Sequence, residues 1–270
     1  MARHGVSDPS SFDFAEFYRE RVRAASRPER SADYWDSRAA SMSERGFDTP
    51  YVRSFLARLD LTGCSTLLDV GCGPGTIALS AAPRLSHVYG LDHSPSMLAA
   101  FADNAKARGI AAATPILRSW DDDWTDVPTC DVVVASRSTA VPDLAAAFAK
   151  LQSKARRRVY VTCPADGHLV ADDVRGAIGR EASALPDYLC VIGILHQMGL
   201  HPTLDYLPGE NRLAEAADFD QFRARIDRLL GGLSAEELPR LEAYYVVRRA
   251  GAPSQPMRWA MFGWETGEGK

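Results

Sequence analysis

The stretch Leu67-Leu68-Asp69-Val70-Gly71-Cys72-Gly73-Pro74-Gly75-Thr76 decides the fold. Its apolar residues end at an acidic residue and a Gly-x-Gly-x-Gly turn, after which the apolar residues 77–79 and 81 follow at helical spacing. This pattern predicts a buried strand that passes into a helix through a loop almost without side chains. Such a loop lets a ligand approach the main chain closely.

The spacing of the glycines separates two classes of ligand. A dinucleotide fingerprint reads G-x-G-x-x-G/A, and its last small residue packs the helix closely on the strand under a pyrophosphate. Here Thr76 occupies that last position, and Gly75 comes one residue early. Asp69 lies two residues before the first glycine, where a negative charge opposes a pyrophosphate and favours a cationic ligand.

The run D-V-G-C-G-P-G-T resembles motif I of the class I S-adenosylmethionine-dependent methyltransferases. The resemblance covers residues 64–165 well and the flanks only in layout. It implies a Rossmann-like fold, S-adenosyl-L-methionine as cofactor, S-adenosyl-L-homocysteine as product, and methyl transfer as the reaction. In that family the aspartate helps to hold the cofactor ammonium group, and the loop lies under the methionine part. The resemblance therefore implies a cofactor-binding set of Asp69, Gly71, Cys72, Gly73 and Gly75.

Strands and helices alternate after the loop at the spacing of parallel β-α-β units. Residues 66–70, 87–91, 114–119, 131–135, 158–162 and 201–207 are the first six predicted strands. Capping boxes open two helices in an insertion of about 212–250, one pairing Asp218 with Gln221 and one pairing Ser234 with Glu237. Residues 257–266 alternate like a half-buried strand, and the resemblance implies that it lies antiparallel between the fifth and sixth. We expect a doubly wound, mostly parallel, seven-stranded α/β sheet.

The segment before residue 49 is rich in aromatic residues set between charged ones. One interpretation is a pair of amphipathic helices that pack on the main domain. The other is a lid over the active site, because the resembled family often builds substrate covers from N-terminal helices. We divide the chain into an N-terminal helical lid segment, 1–48, and a methyltransferase domain, 49–270. Thr49-Pro50 is a helix start.

Further candidates follow the carboxyl end of the second strand, since open α/β sheets bind ligands at those ends. Asp92 closes that strand, and an acidic residue about 20 positions past the glycines accepts hydrogen bonds from ribose hydroxyls. His93 is expected to line the same pocket. Met97 belongs to an S-x-x-M-L run similar to the family's, whose methionine packs on adenine; a place in the helix core is the alternative.

The run S-W-D-D-D-W at residues 119–124 follows the third strand. The family usually holds adenine there through a backbone N–H group and a side-chain acceptor. By position, Trp120 supplies the backbone and stacking, and Asp121 is the acceptor. The commoner family pattern is Gly-Asp-Ala, and the alternative is an acidic run that only caps a turn.

Ser136 and Arg137 follow the fourth strand, where the family places residues beneath the sulfonium and facing the methyl acceptor. A guanidinium can hold a carboxylate or phosphate of the substrate bidentately, or it can pair with a protein carboxylate. A general base is needed only if the acceptor is protonated at working pH. Besides Arg137, the catalytic candidates are Tyr18 from the N-terminal segment and His168 after the fifth strand. Further candidates for the base are Tyr34, Arg38, Tyr188 and His196.

Charge argues against a nucleic-acid substrate. The net charge is −4 and the isoelectric point is near 5.9, whereas nucleic-acid binders usually carry a basic face. The dense basic run at residues 154–158 precedes an apolar strand and is interpreted as a solvated helix end. We therefore expect a small-molecule methyl acceptor. The alternatives are a tRNA or protein methyltransferase, a nicotinamide oxidoreductase and a non-catalytic cofactor-binding subunit.

Cysteine usage and hydropathy indicate the compartment. The five cysteines are odd in number and have no Cys/His ligand spacing, so neither a disulfide framework nor a metal site is expected. No stretch reaches the ~18 apolar residues of a membrane span, and the first residues lack the apolar core of a signal peptide. We expect a cytoplasmic protein without a membrane partner. The sequence does not predict an oligomeric state.

Overall fold

Seven strands form one sheet in the computed structural model, which describes residues 12–25, 31–43, 46–166, 170, 172–181, 185–209, 216–250 and 257–267. The strands are β1 (Thr66–Val70), β2 (His87–Asp92), β3 (Ala113–Leu117), β4 (Cys130–Ser136), β5 (Ala155–Pro164), β6 (Thr203–Pro208) and β7 (Arg258–Glu265). Their order across the sheet is β3-β2-β1-β4-β5-β7-β6. Strand β7 pairs antiparallel with β5 and β6, and the other pairings are parallel. The predicted sheet is confirmed.

Helices cover both faces of the sheet in the described part of the chain. They are α1 (Phe14–Ala24), α2 (Ala32–Asp36), α3 (Ala39–Ser43), α4 (Pro50–Arg58), α5 (Ala78–Ala81), α6 (Pro95–Ala107), α7 (Leu144–Ser153), α8 (Asp172–Ala177), α9 (Tyr188–Gln197), α10 (Phe219–Leu230) and α11 (Glu237–Ala250). The predicted capping boxes form: Asp218 accepts from the Gln221 N–H at 2.8 Å, and Ser234 Oγ accepts from the Glu237 N–H at 3.3 Å. Ser94 likewise caps α6 by accepting from the Met97 N–H at 3.1 Å. Serine or aspartate at these N-caps satisfies N–H groups that the first helical turn leaves free.

The apolar core has two layers, one on each face of the sheet. Helices α4, α5 and α6 pack on one face, with Phe55 and Phe101 fully buried there. Helices α1, α7 and α9 pack on the other, around Phe148 and Leu195. A smaller third cluster joins α8, α10 and α11 around Phe222, so the helical insertion has a core of its own. Helix α8 was not predicted, because six residues are too few to show a helical period.

The basic run is a correction to the sequence analysis. Lys154 caps α7, but the residues after it belong to strand β5, which begins at Ala155. Arg156 reaches Asp131 at 3.5 Å, and Arg158 reaches Asp60 at 3.1 Å. These ion pairs and the pairing of Ala155 with Cys130 in β4 extend the strand through residues that look like a solvated helix end.

The N-terminal helices lie in two places. Helix α1 packs beside α7 and α9, where the Tyr18 hydroxyl donates to the Val141 carbonyl at 3.0 Å. Helices α2 and α3 lie on α6 instead, through contacts of Asp36 with Ser94 and of Ser43 with Asn104. Within the described ranges, no helix is long and apolar enough to cross a bilayer.

The strand order reverses between β1 and β4, which are adjacent although β2 and β3 separate them in the chain. In open α/β sheets, ligands bind outside the carboxyl ends of the strands at such a switch point. The Gly-rich loop leaves β1 at this point, and residues 136–139 leave β4 beside it. The fold therefore brings two of the predicted motifs together.

Candidate active site at the switch point

The N–H groups of the Gly-rich loop are used within the protein. The four bonds run from Gly71 to the Leu91 carbonyl at 2.7 Å, from Cys72 to the same carbonyl at 3.0 Å, from Gly73 to Asp92 Oδ2 at 2.9 Å, and from Gly75 to the Cys72 carbonyl at 3.0 Å. A pyrophosphate site needs such N–H groups to point at the ligand. The loop is therefore built for close approach and not for holding phosphate, which argues against the nicotinamide alternative.

Asp69 is a buried carboxylate with one unsatisfied oxygen. Oδ2 accepts from the Ala78 N–H at 3.1 Å, at the start of α5 where a dinucleotide would put its phosphate. Oδ1 has no hydrogen-bond partner in the described structure. Burial raises the pKa of this carboxyl to about 7; the charge of Asp92 adds to the rise and that of Arg137 opposes it. A buried acceptor of this kind is satisfied by a cationic donor such as an ammonium group.

The three glycines of the loop differ in what surrounds them. A Cβ on Gly71 would overlap Ser138, and one on Gly75 would lie 2.6 Å from a ring carbon of Phe101. At Gly73 the nearest atoms would be the Met42 methyl and the Met97 sulfur, each 3.8 Å away. All three have positive φ. Gly71 and Gly75 therefore serve packing, while Gly73 borders the space between two methionine side chains.

Met97 and Met42 flank that space from different elements. Met97 is in the first turn of α6 and is fully buried, which fits both the adenine contact and the helix core considered above. Met42 comes from α3 in the N-terminal segment. The segment therefore reaches the Gly-rich loop itself.

Asp92 organises the neighbouring loop. Its Oδ2 accepts from the Gly73 N–H at 2.9 Å and its Oδ1 from the Ser94 N–H at 3.0 Å. Each carboxylate oxygen has a second lone pair, so two ribose hydroxyls can still donate to it. His93 lies beside it, with Nδ1 3.7 Å from Asp92 Oδ1.

The three aspartates of the acidic run after β3 differ in the hydrogen bonds that their carboxylates accept. The Asp122 carboxylate accepts from the Ser119 N–H at 2.6 Å, and the Asp123 carboxylate accepts from the Thr125 N–H at 3.0 Å. The Ser119 N–H bond lowers the pKa of the Asp122 carboxyl, and the bonds from the Thr125 hydroxyl (2.7 Å) and N–H lower that of Asp123. The exposed carboxylate of Asp121 accepts no such bond from the described residues, so both of its oxygens are open to a ligand.

Trp120 is held in place by Lys150 and Trp124. Its carbonyl accepts from the Lys150 ammonium at 2.7 Å, and its ring lies 5.5 Å from that of Trp124. The Trp120 carbonyl is therefore already bonded within the protein. Its partly buried indole belongs to the residue next to Asp121 in the chain.

Ser136 and Arg137 join a hydroxyl network at the end of β4. The Tyr51 hydroxyl lies 2.8 Å from Ser136 Oγ and 2.9 Å from Thr162 Oγ1, which also accepts from the Arg137 N–H at 2.9 Å. Tyr51 is fully buried, and burial raises the pKa of its phenol. The Arg137 guanidinium lies over the Tyr51 ring, 4.3 Å from its centroid.

Of the remaining candidates, Tyr18 lies apart from this network. The Tyr18 hydroxyl is buried and donates to the Val141 carbonyl, a bond that ties α1 to the core. His168 falls outside the described residues. Cys72 turns its side chain toward Gly90, and its Sγ donates to the Gly73 carbonyl at 3.4 Å. Burial raises the pKa of this thiol.

Sequence reasoning missed Tyr51, Thr162, Asp36 and Met42. Thr162 offered a signal, because it is a polar residue at the carboxyl end of the apolar run Val159-Tyr160-Val161. Tyr51 follows the Thr49-Pro50 helix start but is joined to β4 and β5 only by the fold.

Comparison with known proteins identifies the family. A family model described as a methyltransferase domain matches residues 67–157. An uncharacterized protein of Haemophilus influenzae is 34% identical over 259 residues, which cover 93% of this chain and 96% of that protein. This chain belongs to the class I S-adenosylmethionine-dependent methyltransferases. The predicted family and enzyme class are thereby confirmed.

Relatives of this methyltransferase with named activities match only in part. Nocamycin O-methyltransferase of Saccharothrix syringae is 36% identical over 108 residues, which are 38% of this chain and 39% of that enzyme. A 23S rRNA (uracil-C5)-methyltransferase of Klebsiella pneumoniae is 28% identical over 123 residues, 44% of this chain and 28% of that enzyme. The matched segments thus cover less than half the length of this chain and of these relatives.

A solved structure shares the fold. Phosphoethanolamine N-methyltransferase 2 of Haemonchus contortus, in complex with phosphomonomethylethanolamine and S-adenosylhomocysteine, superposes with a TM-score of 0.54 at 18% identity. The match covers 96% of this chain and 61% of the nematode enzyme.

Proposed function

We propose that this protein transfers the methyl group of S-adenosylmethionine to a small-molecule acceptor. The observation that carries the proposal is the unsatisfied, buried Oδ1 of Asp69 beside a loop whose N–H groups are already bonded. This arrangement accepts an ammonium group and rejects a pyrophosphate. When bound, the cofactor supplies an electrophilic methyl group on a sulfonium.

The residues present fit this cofactor. Asp69 would receive its ammonium group, and the main chain at Gly73 would lie against its methionine part. The carboxylate of Asp92 would accept from its ribose hydroxyls, with Met97 alongside and Asp121 accepting from the adenine amine. S-adenosylhomocysteine in the nematode enzyme of the same fold supports this assignment.

The residues at the acceptor end align the substrate and exclude water. Tyr51 is buried, and its raised pKa keeps it a neutral phenol at pH 7. It therefore acts as a hydrogen-bond partner of Ser136 and Thr162 and not as a base. Alignment alone accounts for much of the rate of an in-line displacement at an activated carbon. His168 stays a prediction for a base.

A small acceptor is favoured over RNA by the state of the basic residues. Arg156 and Arg158, from the densest basic run, are paired with Asp131 and Asp60. Arg158 also lies 4.0 Å from Glu265. Phosphate contacts require unpaired cations on one face. The chain's acidic balance points the same way.

Calorimetric titration with S-adenosylhomocysteine and with NADH tests the cofactor. We expect saturable one-to-one binding of S-adenosylhomocysteine and none of NADH. Transfer of a labelled methyl group is then measured with a metabolite library and with bulk tRNA and rRNA. Label in RNA would refute the small-molecule acceptor, and binding of NADH alone would refute the proposal entirely.

A further inference from the structure

Arg137 carries a positive charge that no carboxylate of the described residues neutralises by contact. Across the described residues, its guanidinium makes no hydrogen bond or ion pair; its one close contact is the Tyr51 ring. Arginines with a carboxylate within 4.0 Å include Arg19, Arg53, Arg58, Arg118, Arg156, Arg158, Arg180 and Arg223. Arg108 and Arg258 resemble Arg137 in lying over an aromatic ring, but neither is at the switch point. The alternative in which Arg137 pairs with a protein carboxylate is therefore not realised among these residues.

The backbone of Arg137 is held in an uncommon conformation. Its φ is 62°, which makes it the one residue other than glycine with positive φ in the described chain. The left-handed region is strained for a residue with a Cβ. The bond from its N–H to Thr162 Oγ1 holds the turn, and such strain clusters at ligand sites.

Tyr51 gives the guanidinium a fixed platform. The ring cannot rotate out, because its hydroxyl is bonded to Ser136 and Thr162 and its edge packs on Trp259 at 5.9 Å between ring centroids. A guanidinium stacked on an aromatic face keeps its N–H donors at its rim, in the fork geometry that matches an oxyanion.

Negative and positive side chains lie on different sides of the site. Asp69 and Asp92 are on the side of β1 and β2, and Asp36 joins them from α2. Arg137 lies on the other side of the switch point, at the end of β4, and its charge is felt by Asp69. A cationic cofactor fits the acidic side. Arg137 is therefore left to bind the methyl acceptor, which faces the cofactor.

We infer that the methyl acceptor carries a carboxylate or phosphate group and that Arg137 binds this oxyanion. The inference rests on the proposed function, because it takes the β1–β2 side of the crevice as the cofactor's. The oxyanion orients the acceptor, with its reacting atom toward the methyl group. Arg137 is thus the residue that sets specificity for acids over their neutral analogues.

The test uses the full chain saturated with S-adenosylhomocysteine and simple anions as probes at constant ionic strength. Inorganic phosphate, benzoate and citrate are titrated, with benzamide as the neutral analogue of benzoate. The variants are Arg137→Gln and Arg137→Lys, with Arg53→Gln as a matched control, since Arg53 pairs with Asp48 on the exposed surface. Thermal shift and calorimetry give the dissociation constants.

We expect at least one anion to bind the wild-type protein saturably and benzamide not to bind. Arg137→Gln should raise the dissociation constant of that anion about tenfold or more, the usual effect of losing a charged hydrogen bond. Arg137→Lys should give a value between those of the wild type and Arg137→Gln. Arg53→Gln should match the wild type. Preference for benzoate or for phosphate tells which oxyanion the acceptor carries.

Three results separate the possibilities. Equal binding of all anions by the wild type and Arg137→Gln would overturn the inference. A tenfold loss of S-adenosylhomocysteine affinity in Arg137→Gln would overturn it too, by assigning the guanidinium to the cofactor carboxylate. Absence of S-adenosylhomocysteine binding by the wild type would instead refute the proposed function on which the inference rests.

Discussion

Gly73 and Gly75 lie two residues apart, and their surroundings predict different consequences of substitution. Valine at Gly73 places a side chain in the space between Met42 and Met97, so we expect S-adenosylhomocysteine binding to be lost. The fold should lose only about 1–2 kcal/mol, the cost of positive φ for a residue with a Cβ. Alanine at Gly75 would overlap Phe101 and Leu79, and this overpacking should lower the free energy of unfolding by about 1–3 kcal/mol more. Urea unfolding and calorimetry measure both, and a Gly73→Val protein that binds normally would contradict the loop assignment.

The raised pKa of Asp69 predicts how stability changes with pH. Its ordinary value is 3.8 and its folded value is about 7, so between these the folded protein holds a proton that the unfolded chain has lost. The unfolding free energy should therefore fall as pH rises from about 4 to about 7. Asp69→Asn removes this component, and urea titrations of both proteins across that range measure the difference. Parallel pH profiles would contradict the assignment.

Binding of the cofactor should be linked to the same proton. An ammonium group against Asp69 favours the ionised carboxylate, so binding below pH 7 releases a proton. Affinity for S-adenosylhomocysteine should then rise with pH up to about 7. Calorimetry at pH 6 in two buffers of different ionisation enthalpy measures the release, and Asp69→Asn should show none.

Local patterns predicted some residues of the site and could not predict others. Asp69, the glycines and Asp92 lie within one β-α-β unit, so spacing along the chain is enough to place them. Tyr51 contacts residues 85 and 111 positions away, and Asp36 bonds to one 58 positions away. No short-range pattern contains such pairs, because the packing of α2 on α6 and of α4 on the sheet creates them.

Among the elements, α2 is the one whose attachment bears on the cofactor site. The Asp36 carboxylate accepts from the Ser94 hydroxyl and from the Ser96 N–H at 3.0 Å, and these bonds lower its pKa. The bonds join α2 to the N-terminus of α6, beside Asp92 and Met97. The interpretation of residues 1–48 as a lid stays a prediction, and this contact is where it can be tested.

Breaking that contact should loosen the N-terminal cover. Asp36→Ala should increase hydrogen exchange across residues 31–43. It should also lower the affinity for S-adenosylhomocysteine a few-fold, because Met42 would no longer be held against the Gly-rich loop. Asp33→Ala on the same short helix is the control and should behave as the wild type. Unchanged exchange and affinity in Asp36→Ala would show that α2 and α3 do not cover the bound cofactor.

The elements themselves were predicted to different degrees. Helix α6 is marked in the local sequence by a serine cap, a proline at its first turn and a long apolar period. Strand β5 is longer at both ends than predicted, because its edge is set by ion pairs and by the antiparallel partner β7. Such partners come from elsewhere in the chain and leave no local period.

At the scale of the whole molecule, charge predicts the class of substrate. With a net charge of −4 and two arginines of its densest basic run paired to carboxylates, the protein should not bind RNA measurably at physiological salt. Filter binding of bulk tRNA and rRNA at two salt concentrations measures this. Salt-dependent affinity in the micromolar range would favour an RNA acceptor instead.

The central claim is that S-adenosylmethionine lies across the carboxyl ends of β1 and β2. A crystal structure with S-adenosylhomocysteine tests it most directly. We predict that the amino group of the ligand contacts Asp69 Oδ1, that its main body crosses Gly73, and that its ribose hydroxyls donate to Asp92. A ligand bound elsewhere, or a crevice that stays closed by Met42 and Met97 at saturating ligand, would contradict the claim.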